Sequence, residues 1–162
     1  MTWTAYTDGA CAPTNPGPAA WGLYLVPPGA AHGEEFCGFI GHGTNQIAEL
    51  TAAIEGLSRV PAGARVTLVS DSQYVLKGLT EWRRGWERKG FRNAKGEPVA
   101  NQPLWQKLFA LADARKVTAQ WVRGHAGHEH NERVDGLANK ALREAREGTA
   151  AKPSLERPIG RL

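Results

Sequence analysis

No stretch of the 162 residues approaches the roughly 18 to 20 consecutive apolar side chains that cross a bilayer, so a membrane span is not expected. The chain opens Met1-Thr-Trp-Thr-Ala-Tyr6, which alternates like a strand. It has no basic segment leading into an apolar one, so no secretory leader is expected and the protein is read as soluble and cytoplasmic. Cysteine is scarce. Cys11 and Cys37 are too few for a disulfide scaffold and lack the paired spacing of a zinc site, which leaves two thiols in a reducing compartment. Internal repeats are absent too, and the length excludes a second full domain beside a first.

What is present begins with charge. The net +4 is modest, but it is concentrated. Between Glu81 and Glu97, six bases (Arg83, Arg84, Arg88, Lys89, Arg92, Lys95) face three acids (Glu81, Glu87, Glu97), a local excess of three. Trp82, Trp86 and Phe91 are interleaved with them. Aromatic planes beside cations suit nucleotide stacking together with phosphate contact. A solvated basic helix with its tryptophans turned inward fits the same composition, and both readings stay open at this stage.

Punctuation divides the rest. Residues 2–8, about 20–26 and 34–40 read as three strands of a meander, the first two separated by the turn-rich stretch from Gly9 to Pro18. Thr44 or Asn45 caps a helix in which Ile47, Leu50, Ile54 and Leu57 recur at helical spacing. A fourth strand covers 65–70, a short helical segment starts at Ser72, and Leu104, Leu108 and Leu111 mark another helix. A fifth strand spans 117–122, and a last helix carries the stripe Val134, Leu137, Ala138, Ala141 and Leu142. The order β-β-β-α-β-α-α-β-α predicts an α/β fold, a mixed sheet covered by helices. Residues 1–147 are expected to form the domain, and 148–162, which lack periodicity, a flexible tail.

Four acids fall at predicted element ends. Asp8 closes the first strand and Asp71 the fourth, while Glu49 and Asp135 lie near helix starts. If the two strands are parallel neighbours, ligands gather outside their carboxyl ends and the acids converge there. Hard oxygen donors crowded together repel one another unless a cation such as magnesium intervenes. Taken singly, each acid is read more simply as a solvated surface residue.

Four segments, in one order, resemble type 1 ribonucleases H. Thr7-Asp8-Gly9-Ala-Cys11 followed by Asn15-Pro-Gly-Pro18 is similar to the family's TDGSC and NPGP, with one extra loop residue. Thr44-Asn45-Gln46-Ile47-Ala48-Glu49-Leu50 is similar to TNNRMEL, departing at Gln46, Ile47 and Ala48. Ser70-Asp71-Ser-Gln73-Tyr-Val75 matches TDSQYV, and residues 121–135 match WVKGHAGHPENERCD. The resemblance implies a ribonuclease H-like fold, a five-stranded mixed sheet with helices on both faces. It implies an endonuclease acting on the RNA strand of RNA–DNA hybrids as a monomer, leaving 5′-phosphate and 3′-hydroxyl ends. Asp8, Glu49, Asp71 and Asp135 would hold two Mg²⁺, with Mn²⁺ as an alternative, and His125 would assist proton transfer or product release. Cys11, Asn15, Asn45 and Gln73 would meet the minor groove and sugar-phosphate of the cut strand, and Thr44 a DNA-strand phosphate. Trp82, Arg83, Arg84, Arg88 and Lys89 would belong to a basic protrusion holding the DNA strand. A hybrid-binding protein without catalysis would have no need of all four acids. Another nuclease of the same fold would lack the protrusion and the Gly124-His125-Ala-Gly-His128 loop.

Overall fold

The computed structural model of the chain describes residues 1–124 and 127–148. β1 (Thr2–Cys11), β2 (Gly17–Val26) and β3 (Glu34–Gly43) form the expected antiparallel meander, and α1 (Asn45–Ser58) follows. After β4 (Arg65–Ser70), α2 (Gln73–Lys77) continues through a π-helical turn, Gly78–Trp82, into α3 (Arg83–Arg88). Then come α4 (Gln102–Asp113), β5 (Lys116–Trp121) and α5 (Glu129–Gly148). The sheet order is β3-β2-β1-β4-β5, with β4 parallel to both β1 and β5. This is the five-stranded mixed sheet that the element order predicts.

Strand alternation sends successive side chains to opposite faces and so builds two separate cores. From β2, Trp21, Leu23 and Leu25 point into the larger core with Leu50 and Leu57 of α1 and Trp105 and Leu108 of α4. Ala20 and Tyr24 point the other way, beneath Val134, Leu137, Ala141 and Leu142 of α5. Helices therefore cover both faces. The predicted stripe of α5 is buried along its whole length.

Two regions differ most from the sequence reading, and β3 also runs three residues further, to Gly43. The turn-rich stretch is shorter than its composition suggests, because β1 and β2 stay paired out to Cys11 opposite Ala19. Gly9, Ala10 and Cys11 thereby extend β1, and Gly17 and Pro18 open β2; a proline is tolerated near a strand start, where its missing N–H costs least. The segment from Ser72 is also longer than expected, since helix continues to Arg88. Gly78 allows this, because a Cβ there would collide with the Trp105 ring. The proposed tail beyond Gly148 lies outside the described residues.

Gly22 marks the tightest meeting of sheet and α5: a Cβ there would strike the Val134 carbonyl oxygen and lie 2.9 Å from the Ala138 nitrogen. Both obstacles are backbone, which cannot rotate aside. Gly22→Ala should therefore destabilise by about 2 kcal/mol, the cost of overpacking a close-packed interior. Urea unfolding of both proteins checks this, and an unchanged midpoint would mean that α5 is free to lift off β2.

Candidate active site

The register of the parallel strands brings the first two acids together. β1 pairs with β4 from Thr2 opposite Arg65 to Tyr6 opposite Val69, and the same register carried two residues on sets Asp8 across from Asp71. Asp8 does not end its strand as the sequence reading has it. β1 continues to Cys11 against β2, so Asp8 is held within a strand on one side while its parallel partner has already ended. That gives a buried, fixed carboxylate at the fork between β1 and β4.

Glu49 arrives by a close approach of helix to strand. A Cβ at Gly9 would lie 2.5 Å from the Glu49 nitrogen, so only glycine lets α1 rest on β1 here. The Gly9 N–H in turn donates to Glu49 Oε1 at 3.1 Å. The start of α1 is fixed from two sides: Thr44 Oγ1 accepts from the Ile47 N–H at 3.0 Å, and Asn15 Oδ1 accepts from the Asn45 N–H at 3.0 Å. Both bonds satisfy amides that a helix start leaves without partners. Carboxylate oxygens of Asp8, Glu49 and Asp71 consequently lie within 4.8 Å of one another. Asp135, in the second turn of α5, is near enough for its carboxylate to act on that of Asp8.

Crowding acids out of water has a large effect on their protonation. Burial, then the charges of Asp71 and Asp135, push the Asp8 carboxyl up to about 8. Burial, then the charges of Asp8 and Asp71, push Glu49 well above the ordinary carboxylate range. The Gly9 amide pulls both back only partly. Such a set of hard oxygen donors, short of positive charge, fits a divalent cation bound with water or phosphate oxygens.

Residues the sequence reading leaves without a role also shape this site. The Trp121 indole N–H donates to the Asp71 carbonyl at 3.2 Å, and the Val122 N–H to the Ser70 carbonyl at 3.0 Å. A Cβ at Gly124 would sit 2.8 Å from Asp71 Oδ2, so the β5–α5 loop approaches that carboxylate through a glycine. A lone glycine just after a predicted strand end was the available signal.

The other expected contacts surround the acids unevenly. Cys11 Sγ is turned to the Thr14 carbonyl at 3.2 Å, Asn15 and Asn45 are joined as described, and Gln73 is exposed at the start of α2. On the protrusion, Trp86 and Phe91 pack on the larger core, whereas Trp82 is 37% exposed. The two readings of the aromatics thus each hold for different residues. Arg84, Arg88 and Lys89 are exposed. Arg83 is not available in the same way: it grips Asp113 with paired bonds of 2.8 and 2.6 Å, donates to Glu87 at 2.8 Å and lies over the Phe109 ring. His125 lies outside the described residues.

A five-stranded mixed sheet with carboxylates clustered at the fork of its parallel strands β1 and β4 is an α/β fold carrying a candidate cation site. The RNase H family model matches residues 1–143, and the chain belongs to the ribonuclease H family of enzymes. It is 49% identical over 141 residues to the ribonuclease H of Pelobacter propionicus, covering 87% of this chain and 85% of that protein. With the Halorhodospira halophila ribonuclease H it shares 50% over 140 residues, covering 86% and 92%. Among solved structures it is similar to LC9-RNase H1, described as a type 1 RNase H with the type 2 active-site motif, at TM-score 0.77 and 28% identity over 87% of this chain and 72% of that one. The RNase H1 of the archaeon Halobacterium salinarum matches at TM-score 0.63 and 31% identity, covering 90% and 100%.

The raised Asp8 carboxyl has a consequence for stability. Folded Asp8 keeps its proton up to about pH 8, whereas an unfolded chain releases it near 3.8. Between these values the folded state binds more protons, so its contribution to stability is complete below about 4 and is lost as pH rises through 8. In EDTA, Asp8→Asn should flatten the decline in melting temperature over that range. Mg²⁺ should raise the wild-type melting temperature more at pH 8 than at pH 5. Equal Mg²⁺ shifts at both pH values would show that the cluster does not bind the ion.

Proposed function

We propose that the chain is an endonuclease that hydrolyses the RNA strand of RNA–DNA hybrids, with two divalent cations, Mg²⁺ foremost, held by Asp8, Glu49, Asp71 and Asp135. Products would carry 5′-phosphate and 3′-hydroxyl ends. The observation that carries this reading is the convergence of Asp8, Glu49 and Asp71 from β1, α1 and the end of β4, with Asp135 beside them. The kinship with proteins named ribonuclease H supports it. When bound, such cations lower the pKa of an attacking water and offset charge on the phosphate and the departing 3′ oxygen.

The chain's own part is placement. β1 and β4 fix Asp8 and Asp71 on adjacent strands, while α1 and α5 supply Glu49 and Asp135 from opposite faces of the sheet. His125, between Gly124 and Gly127, would assist proton transfer. Discrimination of RNA from DNA rests on the 2′-hydroxyl, which Cys11, Asn15, Asn45 and Gln73 would meet with groups that donate and accept without reading bases. Thr44 spends an acceptor lone pair on its helix cap, and its hydroxyl hydrogen remains available to a DNA-strand phosphate. Trp82 would pack on a deoxyribose, with Arg84, Arg88 and Lys89 at nearby phosphates. Arg83 supports them by tying α3 to α4 through Asp113.

Incubating labelled RNA–DNA, RNA–RNA and DNA–DNA duplexes with Mg²⁺ or EDTA tests the proposal directly. Only the hybrid should be cut, and only with Mg²⁺; equal cutting of all three would refute the substrate assignment. Asp71→Asn should leave hybrid Kd nearly unchanged while single-turnover cleavage falls by several orders of magnitude, since the lost charge matters mainly in the transition state. Retention of a tenth of wild-type cleavage would remove Asp71 from the ligand set. Replacing Arg84, Arg88 and Lys89 together by Ala should raise KM and flatten its salt dependence, with kcat held within a fewfold. A fall in kcat at constant KM would place the protrusion in the chemistry instead.

A further inference from the structure

A groove of about 500 Å³ opens between the C-terminal half of α5 and the β1–β2 loop, away from the protrusion. One wall is apolar, made by Pro13, Pro18 and Phe39, the last 47% exposed. The α5 side adds Asn139, Arg143 and Arg146 beside the apolar Leu142 and Ala145. Both arginines are exposed and enter no ion pair among the described residues. Positive charge facing a bare aromatic is unusual for a surface that only meets water.

The α5 wall of the groove leads toward Asp135. Asp135, Asn139, Arg143 and Arg146 follow at intervals of four, four and three, so they lie along one stripe of α5. Asn139 Nδ2 donates to the Asp135 carbonyl at 2.9 Å and approaches Asp135 Oδ1 at 3.4 Å. From Asp135 to Arg146 the stripe runs roughly 16 Å at 1.5 Å per residue, about five steps of a duplex strand at 3.4 Å each. The apolar wall begins in the β1–β2 loop, which holds Asn15 and follows Cys11 at the end of β1.

We propose that this groove is a second nucleic-acid contact, a track for single-stranded RNA continuing from the cut site, with phosphates on Arg143 and Arg146 and a base against Phe39. The inference rests on the hydrolase reading only for which strand occupies it. A nucleic-acid strand is amphipathic in the required sense, charged along one edge and flat and apolar along the other, and aromatic platforms beside cations hold such strands without reading sequence. An acidic peptide would match the arginines, but its carboxylates would run toward that of Asp135, about one helical turn beyond Asn139. Phosphates can share a cation with that carboxylate.

The test compares a blunt hybrid with the same hybrid extended by ten nucleotides of single-stranded RNA at its 5′ or 3′ end. Binding is read in Mg²⁺ with Asp71→Asn present in every protein compared, the one wild type at the groove included, so that unmodified RNA, its 2′-hydroxyls intact, is not cleaved. Wild type should bind one of the extended forms roughly tenfold tighter than the blunt one, and Arg143→Ala/Arg146→Ala should lose that gain together with about one unit of salt slope per arginine. Phe39→Ala should lose part of the gain with the slope unchanged. For a blunt, unmodified hybrid and protein with Asp71 intact, kcat and KM should be the same in the double variant as in wild type. Equal affinity of the double variant and wild type for both extended forms would overturn the proposal. So would competition by an Asp-rich, Phe-ended peptide for a groove that single-stranded RNA does not enter. Because these are binding measurements, failure of the protein to cleave hybrids would leave their outcome legible.

Discussion

Carboxylates confined at the fork between β1 and β4 repel one another, and the surrounding structure serves to hold them there regardless. Burial of Asp8 and Glu49 weakens water's ability to screen that repulsion, which is why both keep protons far above the usual range. Each acid comes from a different element, so no local rearrangement separates them. β1 is locked by β2 on one side and β4 on the other; α1 is pressed to β1 across Gly9; the β5–α5 loop closes on Asp71 at Gly124. The protein thus stores, in packing, an electrostatic demand that a divalent cation meets.

Rigidity at that centre has its counterpart in a chain of rings leading outward. Tyr74, Trp105, Trp86 and Trp82 follow at centroid separations of 5.1, 5.1 and 5.8 Å, and the Tyr74 hydroxyl accepts from Trp105 Nε1 at 3.0 Å. The basic protrusion is therefore not a loose arm: its base is anchored in the larger core while Arg84, Arg88 and Lys89 remain in solvent. Arg83, bonded to Asp113 and laid over Phe109, completes the attachment. In the proposed function, affinity and chemistry fall to separate parts of the molecule. α5 shows the same economy, with a buried stripe against the sheet and a polar stripe running from Asp135 to Arg146.

Much was legible in the sequence, because the determinants are local. The alternation of TWTAY, a cap at Thr44 or Asn45 and the apolar stripes of α1 and α5 each require only neighbours a few residues apart; each formed, with Thr44 as the cap. Four acids at or near element ends were visible for the same reason, and the resemblance to ribonucleases H gave them an order. What the tertiary structure alone decided is how those local pieces meet. Whether β1 runs on past Asp8 depends on β2, ten residues later; whether Arg83 is a free cation depends on Asp113, thirty residues away. Gly9, Gly78 and Gly124 look like ordinary turn or helix-weakening residues in a string of letters, yet each is a place where a Cβ would strike another element. Close approach and charge crowding act through space and fall off within a few ångströms, so no window of sequence contains them; only the sheet register and the helix docking set which groups come that near.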